Sequence, residues 1–509
     1  MSHRRTFLSR RGPFVIGAGI ALAAGALTVP VVNAATVSGT AAATPSAKRL
    51  HDDFNGDGYP DLAIGAPYSK VGGLPTAGAV SVVYGSSSGL STSRKQVLTW
   101  PGRDTSDTPA TGYGSGLQSA DLDGDGYADL LSSVGVAMMD VDDGCAVVVN
   151  WGGPKGLSAI PTTLAWSPSS EWHGQFAVGD VDGDKHPDLV TPGADQWLSD
   201  HPDEPKEEDT TVRHGPFTRT GGSPKKDYFT LDPRDPLQNA VFTAGDVTGD
   251  GIADLVVSTS DPDEPDSRGT ALFTGGKDGF TPRGWLKDTK GRLIGGEDVE
   301  IGDLDKDGYG DIVVGHSVDS YDSDVELPTK GGALGVVYGG PDGVSTIRKP
   351  VWINQDTAGV PGIGEHGDGM GSGLSVGDTN GDGYLDVATG LPGEDFDGIT
   401  DAGSVLVLRG SASGLTGTGA KSFSQNTRGV PGTAEKQDRF GAETALLDAN
   451  ADKKDGLIVG DPAENAGNGS LWVFSAGSGG IGASGSFSFG AATLGAPSAG
   501  ARFGAAVGD

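Results

Sequence analysis

Cysteine is almost missing: Cys145 is the single one among 509 residues. One thiol excludes intrachain disulfides, cysteine-rich zinc sites and cysteine-ligated clusters. It sits in the apolar run Cys145-Ala146-Val147-Val148-Val149, where it reads as buried filler rather than as a nucleophile. Aromatic residues make up only 7% of the chain, and no sustained apolar period of 3.6 residues is present, which argues against a helical fold. Basic residues are also scarce, at 36 Lys and Arg against 68 Asp and Glu, for a formal charge of -32. A surface this acidic excludes nucleic acid as a partner, because phosphate binding needs a basic footprint.

Long hydrophobic runs are confined to the start of the chain. Phe14–Val29 is apolar but, at 16 residues, too short to favour a membrane span. Arg4 and Arg5 precede it with Thr6-Phe7-Leu8, and Val32-Asn33-Ala34 follows it as a small-residue cleavage site. Residues 1–34 therefore read as a twin-arginine-type export signal of a bacterial kind, 35–48 as a short linker and 49–509 as the folded part. The expectation is a secreted mature chain, extracellular, monomeric and without a membrane span.

What the chain has in abundance is glycine, 87 residues, together with a repeated acidic nonapeptide. Asp53–Asp61 reads DFNGDGYPD and Asp121–Asp129 reads DLDGDGYAD. Asp180–Asp188 reads DVDGDKHPD, Asp246–Asp254 DVTGDGIAD, Asp303–Asp311 DLDKDGYGD and Asp378–Asp386 DTNGDGYLD. A seventh, degraded copy, DANADKKDG, starts at Asp448; successive copies begin 57 to 75 residues apart. Each copy leads into an apolar run such as LAIGAP or VATGLP, then an alternating run ending in a glycine turn, then two more short strand-like segments. Four strands per unit, with period-two alternation and glycine turns, cannot bury both faces alone. The units must pack face to face around an axis, which predicts an all-β, seven-bladed propeller. Lys48–His51 is too short to supply the strand before the first loop, and Ala501–Asp509 (ARFGAAVGD) has the missing pattern. The C-terminal strand is expected to close the ring.

The nonapeptide carries the chemistry. It places oxygen donors at positions 1, 3, 5 and 9, a backbone carbonyl at 7 and a turn-forming glycine at 6, a donor set suited to a hard cation that outside a cell is calcium. The expected ligands are Asp53, Asn55, Asp57, Tyr59 and Asp61; Asp121, Asp123, Asp125, Tyr127 and Asp129; and Asp180, Asp182, Asp184, His186 and Asp188. The later loops offer Asp246, Thr248, Asp250, Ile252 and Asp254; Asp303, Asp305, Asp307, Tyr309 and Asp311; and Asp378, Asn380, Asp382, Tyr384 and Asp386. Tyr, His and Ile at position 7 contribute only the carbonyl. An EF-hand is excluded, since position 12 is Ile64, Ser132, Thr191, Val257, Val314 or Thr389 rather than Glu. About five or six Ca2+ ions are expected. The loops at Asp121 and Asp303 hold four aspartates each and should bind best; Lys185 replaces the turn glycine in the third, and the copy at Asp448 should hold no tight site.

FG-GAP repeats, the family of the integrin α-chain propeller, are what these residues resemble. RFGAE at Arg439, RFGAA at Arg502, IGAP at Ile64 and the aspartate loops carry the likeness. The resemblance implies a seven-bladed propeller with calcium in loops on one face, serving adhesion, glycan binding or scaffolding. A partner would then be an extracellular protein or a glycan or cell-wall ligand. The alternative is a secreted hydrolase or glycan-active enzyme with a site built from propeller loops.

Two G-x-S-x-G strings, Gly85–Gly89 and Gly373–Gly377, fall on repeat elements rather than on a strand-to-helix elbow, so no catalytic residue is assigned. The histidines are scattered and read mostly as surface residues. Asp200–Gln238, rich in charge and proline, lacks a repeat explanation and reads as a long inter-strand loop of blade three, with Arg213, His214 and Arg219 as candidate partner contacts.

Overall fold

The computed structural model describes residues 51–100, 110–136, 144–167, 175–192, 210–229, 240–259, 269–318, 330–396 and 398–508. The export signal and linker read at residues 1–48 lie outside them. Among the described residues no helix is long and apolar enough to cross a membrane.

Seven antiparallel sheets of four or five strands follow one another along the chain. In blade two the inner strand is Leu117–Ala120, followed by Asp129–Val136, Gly144–Asn150 and Thr162–Ser167. In blade six the order is Ser372–Gly377, Asp386–Leu391, Ser404–Arg409 and Thr416–Phe423. Each blade thus runs from the axis outward, and the inner strand of every blade contacts the inner strands of its two neighbours. Blade one departs from this order. Its strands Leu62–Ala66, Ala79–Val83 and Lys95–Thr99 are completed on the inside by Ala506–Gly508, in the register Ala63↔Gly508, Ile64↔Val507 and Gly65↔Ala506. The expected closure by the C-terminal strand is present, and it removes the exposed sheet edges that an open ring would leave.

The local sequence explains the layering. Second and third strands such as LAIGA, AVSVV and GTALFT are buried at every residue, because blades cover both of their faces. Outer strands alternate or turn polar; Thr281–Trp285 is exposed over its first four residues. The buried apolar residues described fall into seven clusters, one at each junction between neighbouring blades. Glycines set how close the blades come. Gly65, Gly315, Gly390 and Gly460, each in a second strand, face the carbonyl oxygens of Gly114, Gly371, Gly441 and Gly504 from the next blade. A methyl group on any of the four would collide with that oxygen.

Blade three corrects one expectation. The region 200–238 is not a single loop: Thr210–His214 and Lys225–Phe229 are its third and fourth strands, paired in register from Thr210↔Phe229 to His214↔Lys225. Charge and proline around these short strands hid the alternation. His214 and His316, read as surface residues, are also buried, at 6% and 3% exposure. Cys145 is buried, as expected.

Candidate metal-binding loops

All seven nonapeptides lead into the second strand of a blade, and six of them come directly from that blade's innermost strand, so they emerge on one side of the ring; in blade one the innermost strand is the C-terminal Ala506–Gly508. Their backbones share one conformation. Positions 4 and 6 have positive φ in every copy, including Gly56 and Gly58, Gly124 and Gly126, Gly183 and Lys185, and Lys306 and Gly308. Even the degraded copy keeps it, with Ala451 at 55° and Lys453 at 69°. Left-handed residues without glycine carry a backbone cost of about 1 kcal/mol each, so the turn is held by what surrounds it.

The first carboxylate organises the turn. Asp53 accepts the N–H groups of Asp57 at 3.1 Å and Gly58 at 2.8 Å, and Asp303 accepts those of Asp307 and Gly308 at 3.1 and 3.0 Å. The fifth-position carboxylate accepts the N–H of position 7, as Asp125 does from Tyr127 at 3.1 Å. The ninth is the anchor. Asp61 accepts from Phe54 at 3.0 Å within its loop and from Gly85 at 2.9 Å on the neighbouring strand turn, and Asp129 and Asp311 repeat the pattern with Gly152 and Gly339.

These ninth-position carboxylates are fully buried, and burial raises their pKa against the hydrogen bonds that lower it. Asp61 is pushed up to about 8, and Asp129 and Asp311 to about 7; the nearby loop aspartates add to each rise. Asp254 and Asp386 move in the same direction for the same first cause. Carboxylate oxygens of Asp121, Asp123 and Asp129 lie within 4.8 Å of one another, as do those of Asp180, Asp182 and Asp184 and those of Asp303, Asp305 and Asp311. In the fourth loop the hydroxyl of Thr248, at position 3, is buried without a hydrogen-bond partner. Sets of three carboxylate oxygens at this separation in the second, third and fifth loops, and the orphan hydroxyl in the fourth, fit a divalent cation.

Sequence reading missed the cations that the protein itself supplies. Arg94 Nη2 lies 2.5 Å from Asp57, and Arg219 reaches from blade three to Asp123 at 2.6 Å and Asp125 at 2.5 Å on the second loop. Arg348 pairs with Asp305 at 2.7 Å and Arg409 with Asp386 at 2.6 Å. On the third loop His214 takes this place, with Nδ1 2.9 Å from Asp182 and Nε2 3.0 Å from Asp227. Arg213, the other candidate contact, is half-buried and donates to Thr191 Oγ1 at 3.1 Å. All three residues proposed as partner contacts thus make contacts inside the protein. A signal existed in the sequence: Arg94 and Arg348 stand at the same offset beyond Gly85 and Gly339.

The inner strands surround an axial cavity of about 610 Å³, lined at one end by His51, Asp52 and Ser119 and elsewhere by Asp298 and Glu300. Ser119 Oγ donates to Asp52, and His51 Nδ1 is 3.2 Å from both Ser119 Oγ and Asp52 Oδ2. A serine nucleophile needs its base and its orienting carboxylate on opposite ring nitrogens, and here one nitrogen serves both.

A family model described as FG-GAP repeat matches residues 51–83 and 370–408. The chain carries FG-GAP repeats. Among curated proteins it is 36% identical over 120 residues to integrin alpha-6 of Homo sapiens, covering 24% of this chain and 9% of that protein. It is 44% identical over 81 residues to phosphatidylinositol-glycan-specific phospholipase D of Rattus norvegicus, covering 16% of this chain and 9% of that protein. The matched segments therefore span about a tenth of these relatives. Among solved structures, an α-L-arabinofuranosidase from Lactobacillus brevis aligns with a TM-score of 0.33 at 11% identity, over 59% of this chain and 90% of that one. A rhamnogalacturonan lyase from Bacillus licheniformis aligns with a TM-score of 0.32 at 12% identity, over 82% and 85%.

Proposed function

We propose that this FG-GAP propeller is an exported, calcium-loaded binding scaffold. Its six complete aspartate loops hold five or six calcium ions, with the carboxylates at positions 1, 3, 5 and 9 and the carbonyl at 7 as ligands. The observation that carries this reading is the shared geometry of the loops. Acidic residues at ligand spacing recur on one side of the ring, and each complete loop buries its ninth-position aspartate in a place where charge is costly without a counter-ion. Calcium would supply that counter-charge. Arg94, Arg219, Arg348, Arg409 and His214 then act as partial neutralisers of the calcium-free loops, and they would turn to the outer oxygens of a loaded loop.

The rim opposite the loops, together with the loops themselves, serves as the binding surface for an extracellular protein or a glycan. The axial Ser119, His51 and Asp52 are read as a polar seam between the first loop and blade two, in keeping with a binding rather than a hydrolytic role. The test is the mature chain, from Ala35 onward, presented to cell-wall polymers and a glycan panel with calcium and with chelator. Saturable, calcium-dependent retention without product release is the expected result. Turnover of a bound glycan would replace the scaffold with the loop-built enzyme.

A further inference from the structure

A second acidic cluster lies away from the aspartate loops. The second strand of blade seven, Gly456–Asp461, starts at the degraded loop and ends about 16 Å away on the other side of the ring. At that end carboxylate oxygens of Asp438, Asp461 and Glu464 come within 4.8 Å of one another. Asp461 is 0% and Asp438 4% exposed, and Glu464 is half-buried.

The hydrogen bonds leave this cluster unfinished. Asp461 Oδ1 accepts the N–H groups of Ala463 at 3.1 Å and Glu464 at 2.8 Å, while Oδ2 is buried without a partner. Asp438 accepts only the Glu435 N–H, at 2.6 Å, among the bonds described. Gln425, 3% exposed, donates through Nε2 to Glu464 at 3.0 Å, and its Oε1 is also buried without a partner. A buried carboxylate oxygen without a partner, crowded by two further carboxylates, is costly unless something positive is bound. Burial first, then the Glu464 and Asp438 charges, pushes the Asp461 carboxyl up to about 8. Among the described residues no basic side chain forms an ion pair with the cluster.

Blade six contains the same framework without the third acid. Gln355 Nε2 donates to Glu394 at 2.8 Å and Asp368 accepts from Glu365 at 2.6 Å, matching Gln425, Glu464, Asp438 and Glu435. Where blade seven has Asp461, blade six has the buried Leu391. The framework therefore folds without an acid at that position, and Asp461 is an addition to it.

We propose that Asp438, Asp461 and Glu464, with the Gln425 amide oxygen turned toward them, form a divalent-cation site separate from the aspartate loops. The oxygen-only donors select a calcium-like ion over a soft metal. Bound there, the ion would tie the segment 424–442, which crosses from blade six, to the second strand of blade seven.

The test is ion counting by native mass spectrometry on the chelator-stripped full chain titrated with calcium alone. Asp461→Leu, which installs the blade-six residue, is expected to lose one ion per chain and keep the rest. Its melting temperature in chelator should be no lower than that of the parent, and its gain on adding calcium should be smaller. Glu464→Gln, which keeps the size of the side chain, is expected to weaken one site at least tenfold. An unchanged ion count in both variants would overturn the proposal. If the aspartate loops themselves bind nothing, the parent should still hold one ion and Asp461→Leu none, so the two readings are separable.

Discussion

Ile64 and Val507 face each other across one antiparallel ladder, joining the first blade of the chain to its last strand. The strand Ala506–Gly508 packs beside Phe503, which is 0% exposed and lies in the cluster shared by blades seven and one. Deleting 500–509 removes both the ladder and that aromatic anchor. A buried Phe alone contributes about 3–5 kcal/mol, so in a fold of this size the melting temperature should fall by about 3–5 °C or more. A calorimetric scan of the truncated chain checks this, and an unchanged melt would rule out closure as a source of stability.

Gly390 and Gly441 make one of the close backbone contacts between blades six and seven. Gly390→Ala should destabilise the protein by more than an ordinary surface change, about 2 kcal/mol or more, because backbone rather than a flexible side chain blocks the methyl group. Gly153→Ala is the control, since nothing lies within 4 Å of the added carbon. Denaturant midpoints of the two variants should separate clearly.

The repeat made most of this architecture legible in advance. Copies such as DLDGDGYAD at Asp121 marked the turn leading into the second strand of each blade, and ARFGAAVGD marked the closing strand. Blade three was harder to read. In Thr210–His214 the polar His214 is buried against Asp182 of the third loop, and Lys225–Phe229 is an outer strand with two exposed lysines, so neither shows the apolar alternation of the other blades. The arginines over the loops were hidden for a similar reason. Arg219 meets Asp123 only because blades two and three are adjacent in space.

Lys185 holds φ at 73° in the turn of the third loop. Lys185→Gly relieves a left-handed side chain and should stabilise the protein by about 1 kcal/mol, less the unfolded-state entropy that glycine adds. Chemical denaturation in chelator is the measurement, and a loss of stability would mean that the lysine makes a compensating contact.

Asp61, Asp129 and Asp311 are raised from 3.8 to about 8, 7 and 7. A carboxyl with a raised folded pKa binds more protons folded than unfolded between those two values, so stability falls as pH rises through the window. In chelator the melting temperature should therefore drop between pH 5 and pH 8. With saturating calcium the loops lose their need for protons, and the slope should flatten or reverse. Parallel melts in chelator and in calcium across this range test the sign.

Arg219 competes with any cation for Asp123 and Asp125. Arg219→Gln should lower stability in chelator and raise the calcium affinity of the second loop several-fold, read as a shift in one site of a calcium isotherm. Weaker calcium binding in this variant would instead make the arginine a support for the loaded loop.

The most direct test of the central claim is a calorimetric calcium titration of the chelator-stripped mature chain carrying Asp461→Leu, so that only the aspartate loops are counted. The account predicts five or six ions, with the loops at Asp121 and Asp303 among the tightest. No binding would contradict it and leave the seven acidic nonapeptides as turns held by arginine, histidine and protons.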